Sequence, residues 1–177
     1  LKFVISWTYA PAYARPLSVP QGLITLMPRF GADVVLAHPK EFNLMPRTLE
    51  AAKGYAKQYC TKFQVVHDME AAFKGGVVLY PKSWGCHQYL QDQGVPEADR
   101  KKIGMDLIAK YKKWVCTEKR MKLGRKDAVY MHPLPADRGA EVEDAVIDGP
   151  QSIVFDQAEN RLHTVKAIQA LTMGGRP

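Results

Sequence analysis

The stretch "YMHPLP", residues 130–135, sets two prolines around Leu134 directly behind His132. A proline has no N–H to donate and a fixed φ. A chain that needed to extend a strand would not place them there. His132, Pro133, Leu134 and Pro135 therefore read as a stiff, carbonyl-rich corner at the end of an apolar run. Other residues able to do chemistry also come directly after apolar runs. Trp7 opens "WTYAP", Lys82, Ser83 and Trp84 form "KSWG", and Arg161 closes "DQAENR". "HPKEF" (38–42) and "HD" (67–68) stand in the same kind of position. The set is cationic, aromatic and polar, which suits an anionic small molecule.

Composition and missing motifs remove several classes. Cys60, Cys86 and Cys116 form no close spacing, and neither C-x-x-C nor H-E-x-x-H occurs, so a zinc site is disfavoured. No G-x-G-x-x-G comes after the first apolar run and no phosphate-binding G-x-x-x-x-G-K-[ST] is present, which disfavours a dinucleotide dehydrogenase. No motif implies a cofactor or a metal. The net charge is +7, but its lysines cluster only in "DRKK" and "KYKKW". That argues against nucleic acid and for a positive field that draws an anionic ligand. Apolar stretches fall far short of the ~20 residues of a membrane span. Three scattered cysteines without a secretory signal fit a reducing cytoplasm. With 177 residues the chain is long enough for one domain. It starts at Leu1 and runs at once into "KFVIS", as a piece of a longer protein or a domain cut at its boundary would.

The elements that must position these residues alternate. Strands are expected at 2–6, 33–38, 63–67, 77–82, 128–132 and 152–156. Helices are expected at 18–30 (Ser18 as N-cap, Pro28 limiting it, Gly31 as stop), 46–59, 68–75 (capped by Asp68), 97–113, 117–124 and 157–173. Nearly all-apolar strands alternating with helices imply a doubly wound α/β fold, a parallel sheet covered by helices on both faces. Ligands of such folds sit beyond the carboxyl ends of the strands, where the residues above are found.

Three of these motifs together, "MHPLP" after a strand, "VVLYPKSWG", and "DQAENRLHTVKAIQAL" near the end, resemble the transcarbamylases. These are the aspartate and ornithine carbamoyltransferases and their N-acyl-ornithine relatives. The whole chain, 1–177, resembles their second domain, which binds the amino substrate. The proline-bearing link "YAPAYARPLSVPQG" (9–22) is longer than in plain ornithine enzymes and is similar to that of the acetylornithine-type and related uncharacterised members, whose backbone is knotted. The resemblance implies that this loop is threaded by the segment after "KSWG"; a simple surface loop is the alternative.

The resemblance also gives the corner a task. Carbamoyl transfer needs an amine to attack the carbonyl of carbamoyl phosphate, and only acceptors can grip the carbamoyl NH2. The carbonyls of Pro133 and Leu134 would face that NH2 or the incoming amine, and the resemblance implies a cis Leu134–Pro135 bond. It assigns His132 and Arg161 to catalysis, Arg161 reaching the oxyanion or a phosphate oxygen. Lys82, with Ser83, Trp84, Pro135 and Arg138, would bind substrate. Each assignment has a plainer rival: Arg161 paired with Glu159 or Asp156 on a helix surface, Lys82 as a solvated loop lysine, Trp84 as core. Arg138 and Glu141 would touch substrate or merely the rim. The implied partners are carbamoyl phosphate, an amino-acid substrate and two further copies in a homotrimer.

Departures from the pattern narrow the amino substrate. Pro133 replaces the cysteine of ornithine enzymes, and "YPKSWG" stands where they carry D-x-x-x-S-M-G. The R-x-Q-x-x-R of aspartate enzymes is missing from 86–113. "HPLPAD" with "KSWG" is most similar to the acetylornithine-type group. The S-x-R-T and H-P-x-Q of the first domain, which bind phosphate, are absent, so the isolated chain is expected to be inactive. The other reading is a non-catalytic transcarbamylase-like module for metabolite binding or assembly.

Overall fold

The computed structural model describes residues 1–87 and 95–174. Five strands form one sheet in the order β3-β2-β1-β4-β5, every pair parallel. They are β1 (Lys2–Trp7), β2 (Asp33–Ala37), β3 (Phe63–Val66), β4 (Val78–Lys82) and the short β5 (Val129–Tyr130). The helices, in chain order, are α1 (Ser18–Leu26), α2 (Pro46–Gln58), α3 (Met69–Phe73), α4 (Glu97–Ala109), α5 (Glu118–Met121), α6 (Asp144–Ile147) and α7 (Val154–Thr172).

Side chains of a strand point alternately to the two faces, and both faces are buried here. Phe3, Ile5 and Trp7 join Val34, Leu36, Ile24, Phe42 and Trp84 in one core. Val4 joins Val35, Ala37, Leu79, Phe73, Tyr130 and Val146 in the other. The β1 run therefore has to be apolar nearly throughout, as it is. This is the expected doubly wound α/β sheet, covered on both faces.

Local chemistry explains most boundaries. Asp68 accepts a hydrogen bond from the Ala71 amide at 2.9 Å and starts α3. Thr117 does the same for the Arg120 amide at 3.2 Å. Pro46 is the first residue of α2, where a missing N–H costs nothing. A 3₁₀ turn, Met27–Phe30, comes after α1, and Gly31 with φ 79° ends it.

Three expectations are corrected. Leu17, not Ser18, occupies the N-cap of α1, with no side-chain cap; Ser18 is already helical. The fifth strand stops at Tyr130 instead of His132, since Pro133 cannot continue a ladder. Residues 152–156 are not a strand. Ser152 makes one isolated bridge to Tyr130, and the helix begins at Val154, its one buried residue. "SIVFD" is β-branched and apolar, yet only its first two residues touch the sheet edge.

The link 8–17 is tied to the strand ends around it. The Gly85 amide donates to the Arg15 carbonyl at 2.9 Å, and the Tyr9 amide to the Trp114 carbonyl at 2.7 Å. Gly104 of α4 lies against Tyr13, where a Cβ would come within 2.7 Å of the tyrosine's own Cβ. The segment expected to thread the link runs into 88–94, outside the described residues.

Candidate active site

In the order β3-β2-β1-β4-β5 the chain reverses direction of winding between β1 and β4, and their carboxyl ends frame the crevice such sheets use. Trp7 and Lys82 are register partners at that point. The strand ends and the loops beyond them meet there: Thr8 after β1, Lys82 and Ser83 at the end of β4, and the corner 132–141 after β5.

Glu141 is at the centre. Its residue is fully enclosed, and it gathers five groups. Oε1 accepts from the Ser83 amide at 2.7 Å, the Lys82 ammonium at 3.2 Å and the Thr8 hydroxyl at 3.5 Å. Oε2 accepts from the Asp137 amide at 2.9 Å and lies 3.3 Å from His132 Nε2. Burial pushes the Glu141 carboxyl up, but the His132 ring, the Lys82 ammonium and the Ser83 side chain outweigh it and hold the group well below its ordinary 4.5. Among the described residues neither ring nitrogen of His132 meets hydrogen-bond geometry, so Nε2 lies near Oε2 without a formed bond.

The corner is fixed from its other side by Gln157. Its Oε1 accepts from the His132 amide at 3.0 Å, and its Nε2 donates to the Tyr80 hydroxyl at 2.8 Å. Leu134–Pro135 is a cis peptide, as the resemblance implied, and Leu134 has φ 25°. Against the corner lies a cleft of about 320 Å³ lined by His132, Pro133, Leu134, Gln157, Ala158 and Arg161. Arg161 projects from α7, exposed, and makes no ion pair among the described residues.

The other candidate residues are placed differently. Trp84 is buried, its indole donating to the Phe42 carbonyl at 2.8 Å, while Trp7 donates to the Trp84 carbonyl at 2.8 Å. Lys82 is nearly buried, and Ser83 Oγ also accepts from its ammonium, at 3.3 Å. Arg138 turns outward to Asp144 and Asp148, at 2.7 and 2.6 Å. Arg15 pairs with Asp137 and so clasps the corner to the 8–17 link. His38, buried at the end of β2, bonds the Pro39 carbonyl through Nδ1 at 2.8 Å, and burial lowers its pKa to about 4. Thr8, Asp137 and Gln157 carry no signal of their own in the sequence. Among the described residues no cluster of three or more His, Cys, Asp or Glu could hold a metal ion, and no helix is long and apolar enough to cross a membrane.

Fold and site together define a parallel α/β domain that presents an arginine and a proline-flanked carbonyl corner to one cleft beyond its strands. Residues 17–172 match the family described as aspartate/ornithine carbamoyltransferase, Asp/Orn binding domain. The chain belongs to that family. YgeW of Escherichia coli (strain K12), a putative carbamoyltransferase by name, is 36% identical over 184 residues, covering 94% of this chain and 46% of that protein. The ornithine carbamoyltransferase of Thermococcus kodakarensis is 37% identical over 158 residues, covering 89% of this chain and 47% of the enzyme. A crystal structure of acetylornithine transcarbamylase complexed with acetylcitrulline superposes with a TM-score of 0.82 at 33% identity, covering 96% of this chain and 48% of that one. The chain thus spans about half the length of the relatives it matches.

Proposed function

We propose that this chain is the amino-substrate half of a carbamoyltransferase. The observation that carries the proposal is the cleft at the carboxyl edge, where Arg161 faces the His132–Leu134 corner with no ion pair of its own among the described residues. In the reaction the amine nitrogen bonds to the carbamoyl carbon of carbamoyl phosphate. The bond from that carbon to the phosphate oxygen breaks, inorganic phosphate leaves, and the amine loses a proton.

The catalytic residues are His132 and Arg161. The carbonyls of Pro133 and Leu134, set by Pro135, accept from the carbamoyl NH2. Arg161 offsets charge on the oxyanion or on phosphate; fixed donors of this kind act on charge as it develops. Lys82 and Ser83 bind the amino substrate, with Trp84 as the wall behind them and Arg138 at the rim. The N-acylated ornithine class fits the acetylornithine-type pattern "KSWG" with "HPLPAD". The phosphate-binding first domain and neighbouring copies in a trimer supply the remainder, in the cytoplasm. The bare face of α7 supports such a neighbour: Leu162, Val165, Ile168 and Leu171 are 55%, 48%, 55% and 64% exposed.

The test is turnover with carbamoyl phosphate and N-acetylornithine, read as ureido product. The isolated chain is expected to give none. A parent protein that carries S-x-R-T and H-P-x-Q upstream is expected to give product, and one that carries both motifs and stays inactive sinks the reading.

A further inference from the structure

Glu141 has more partners than packing requires, and they divide by oxygen. Oε2 meets both ends of the corner: it lies 3.3 Å from the His132 ring at one end and accepts from the Asp137 amide at the other. Oε1 takes the ends of the two central strands, through the Ser83 amide, Lys82 and Thr8. Neither the Ser83 nor the Asp137 amide makes a backbone hydrogen bond, so Glu141 is their one partner among the described residues. The carboxylate therefore closes the loop 132–137 with one oxygen and fixes it to β1 and β4 with the other.

We propose that Glu141 is a positioning residue, acting through His132 and the Asp137 amide to hold the Pro133 and Leu134 carbonyls at the cleft. The proposal rests on the reading of that corner as the grip for the carbamoyl group. The geometry requires a carboxylate. Both oxygens face donors only. An ionised carboxylate offers acceptors alone, about four lone-pair sites in all. A glutamine has the same shape but must turn an NH2 toward one of the two donor sets. Oε2 lies 3.3 Å from Nε2, so a proton on that nitrogen faces the carboxylate, and a small turn of the ring makes the bond. Gln157 holds the amide of the same histidine, so ring and backbone are fixed from opposite sides. Lys82 is held in the same act: its ammonium is placed between Glu141 and Ser83 Oγ.

The test uses the ¹⁵N-labelled chain without substrate. Long-range ¹H–¹⁵N spectra, assigned against His132→Gln, report which ring nitrogen carries the proton. Deuterium exchange reports the Ser83 and Asp137 amides. In the wild type the His132 proton is expected on Nε2, with both amides protected. In Glu141→Gln the amide that meets the new NH2, Ser83 or Asp137, exchanges about tenfold faster or more, the scale of a lost charge-assisted bond, and where it is Asp137 the Nε2 proton signal is lost with it. Val4 and Leu79 in the sheet keep their rates. If Glu141→Gln does not fold, the wild type alone decides. A proton on Nδ1 only, or an Asp137 amide exchanging at the free-peptide rate, overturns the proposal, as does a folded Glu141→Gln with all three signals unchanged. A parent without turnover counts against the transferase reading instead, because these signals need no substrate.

Discussion

His132 and Arg161 line one cleft but are held in opposite ways. His132 is enclosed, its ring beside Glu141 and its amide on Gln157, with every support drawn from this chain. Arg161 stands on α7, a helix of 19 residues in which Val154 alone is buried. The enclosed side is packed by this chain's own residues; the open side has a charge without a counterpart among the described residues. An enclosed charge is costly unless matched on every side, whereas an exposed arginine costs almost nothing to keep free. The first is thus bound to the stability of the fold, and the second can be given over to a ligand.

Substitutions can separate the two sides. The largest effect is expected for Glu141→Ala, which leaves Lys82 and His132 enclosed without their carboxylate. Breaking one partner from a buried ionic group costs about 3–5 kcal/mol, read as a lower urea midpoint. A loss below about 1 kcal/mol would mean that water reaches the network and the enclosed side is not closed.

Next comes acid. His38 has its pKa lowered to about 4 by burial, from an ordinary 6.5. The unfolded chain therefore binds the proton first as pH falls. The stability from a neutral His38 is whole above 6.5 and drains away as pH falls toward about 4, by about 3 kcal/mol. Glu141 extends the loss below its ordinary 4.5, again because its folded pKa is depressed. Urea melts of the wild type and His38→Asn across pH 4–7 check this; parallel curves would show that His38 does not titrate on unfolding.

Gln157→Ala removes the link between the corner and α7. It leaves the His132 amide and the Tyr80 hydroxyl without that partner, at a cost of about 1–3 kcal/mol. Thermal unfolding measures it, and an unchanged midpoint would place the hold on the corner with Glu141 alone. The smallest effect on stability, within about 0.5 kcal/mol, is expected for Arg161→Ala. In a parent protein that shows the proposed turnover, the same change is expected to lower kcat/KM by about a hundredfold or more. A variant that is destabilised yet fully active would reverse the contrast.

The sequence made the open side easier to read than the enclosed one. Arg161 belongs to a motif, and the strands that carry the sheet are continuous β-branched runs whose period is plain. Asp68 could be read as a cap because a cap is local chemistry. Glu141 could only be placed at the rim or the substrate. It lies in "AEVED", where Glu143 and Asp144 face water, and nothing local distinguishes the one acid that the fold turns inward. Its donors come from residues 8, 82, 83, 132 and 137, a meeting that exists only once the sheet is assembled. "SIVFD" failed for a related reason: strand and buried helix start share the same apolar letters, and only the edge at Tyr130 decides where the chain leaves the sheet.

The shallow rooting of α7 has a mechanical consequence. Its side chains hold to the body at Val154 and Gln157, near the first turn, so the remainder is a lever arm about 25 Å long. A tilt of about 5° at the root would carry Leu171 about 2 Å and Arg161 about 1 Å. A displacement of about 1 Å can change a rate by about a hundredfold. Whatever grips the far end of this helix sets the aim of the arginine, in the way a tiller sets a rudder, without touching the cleft.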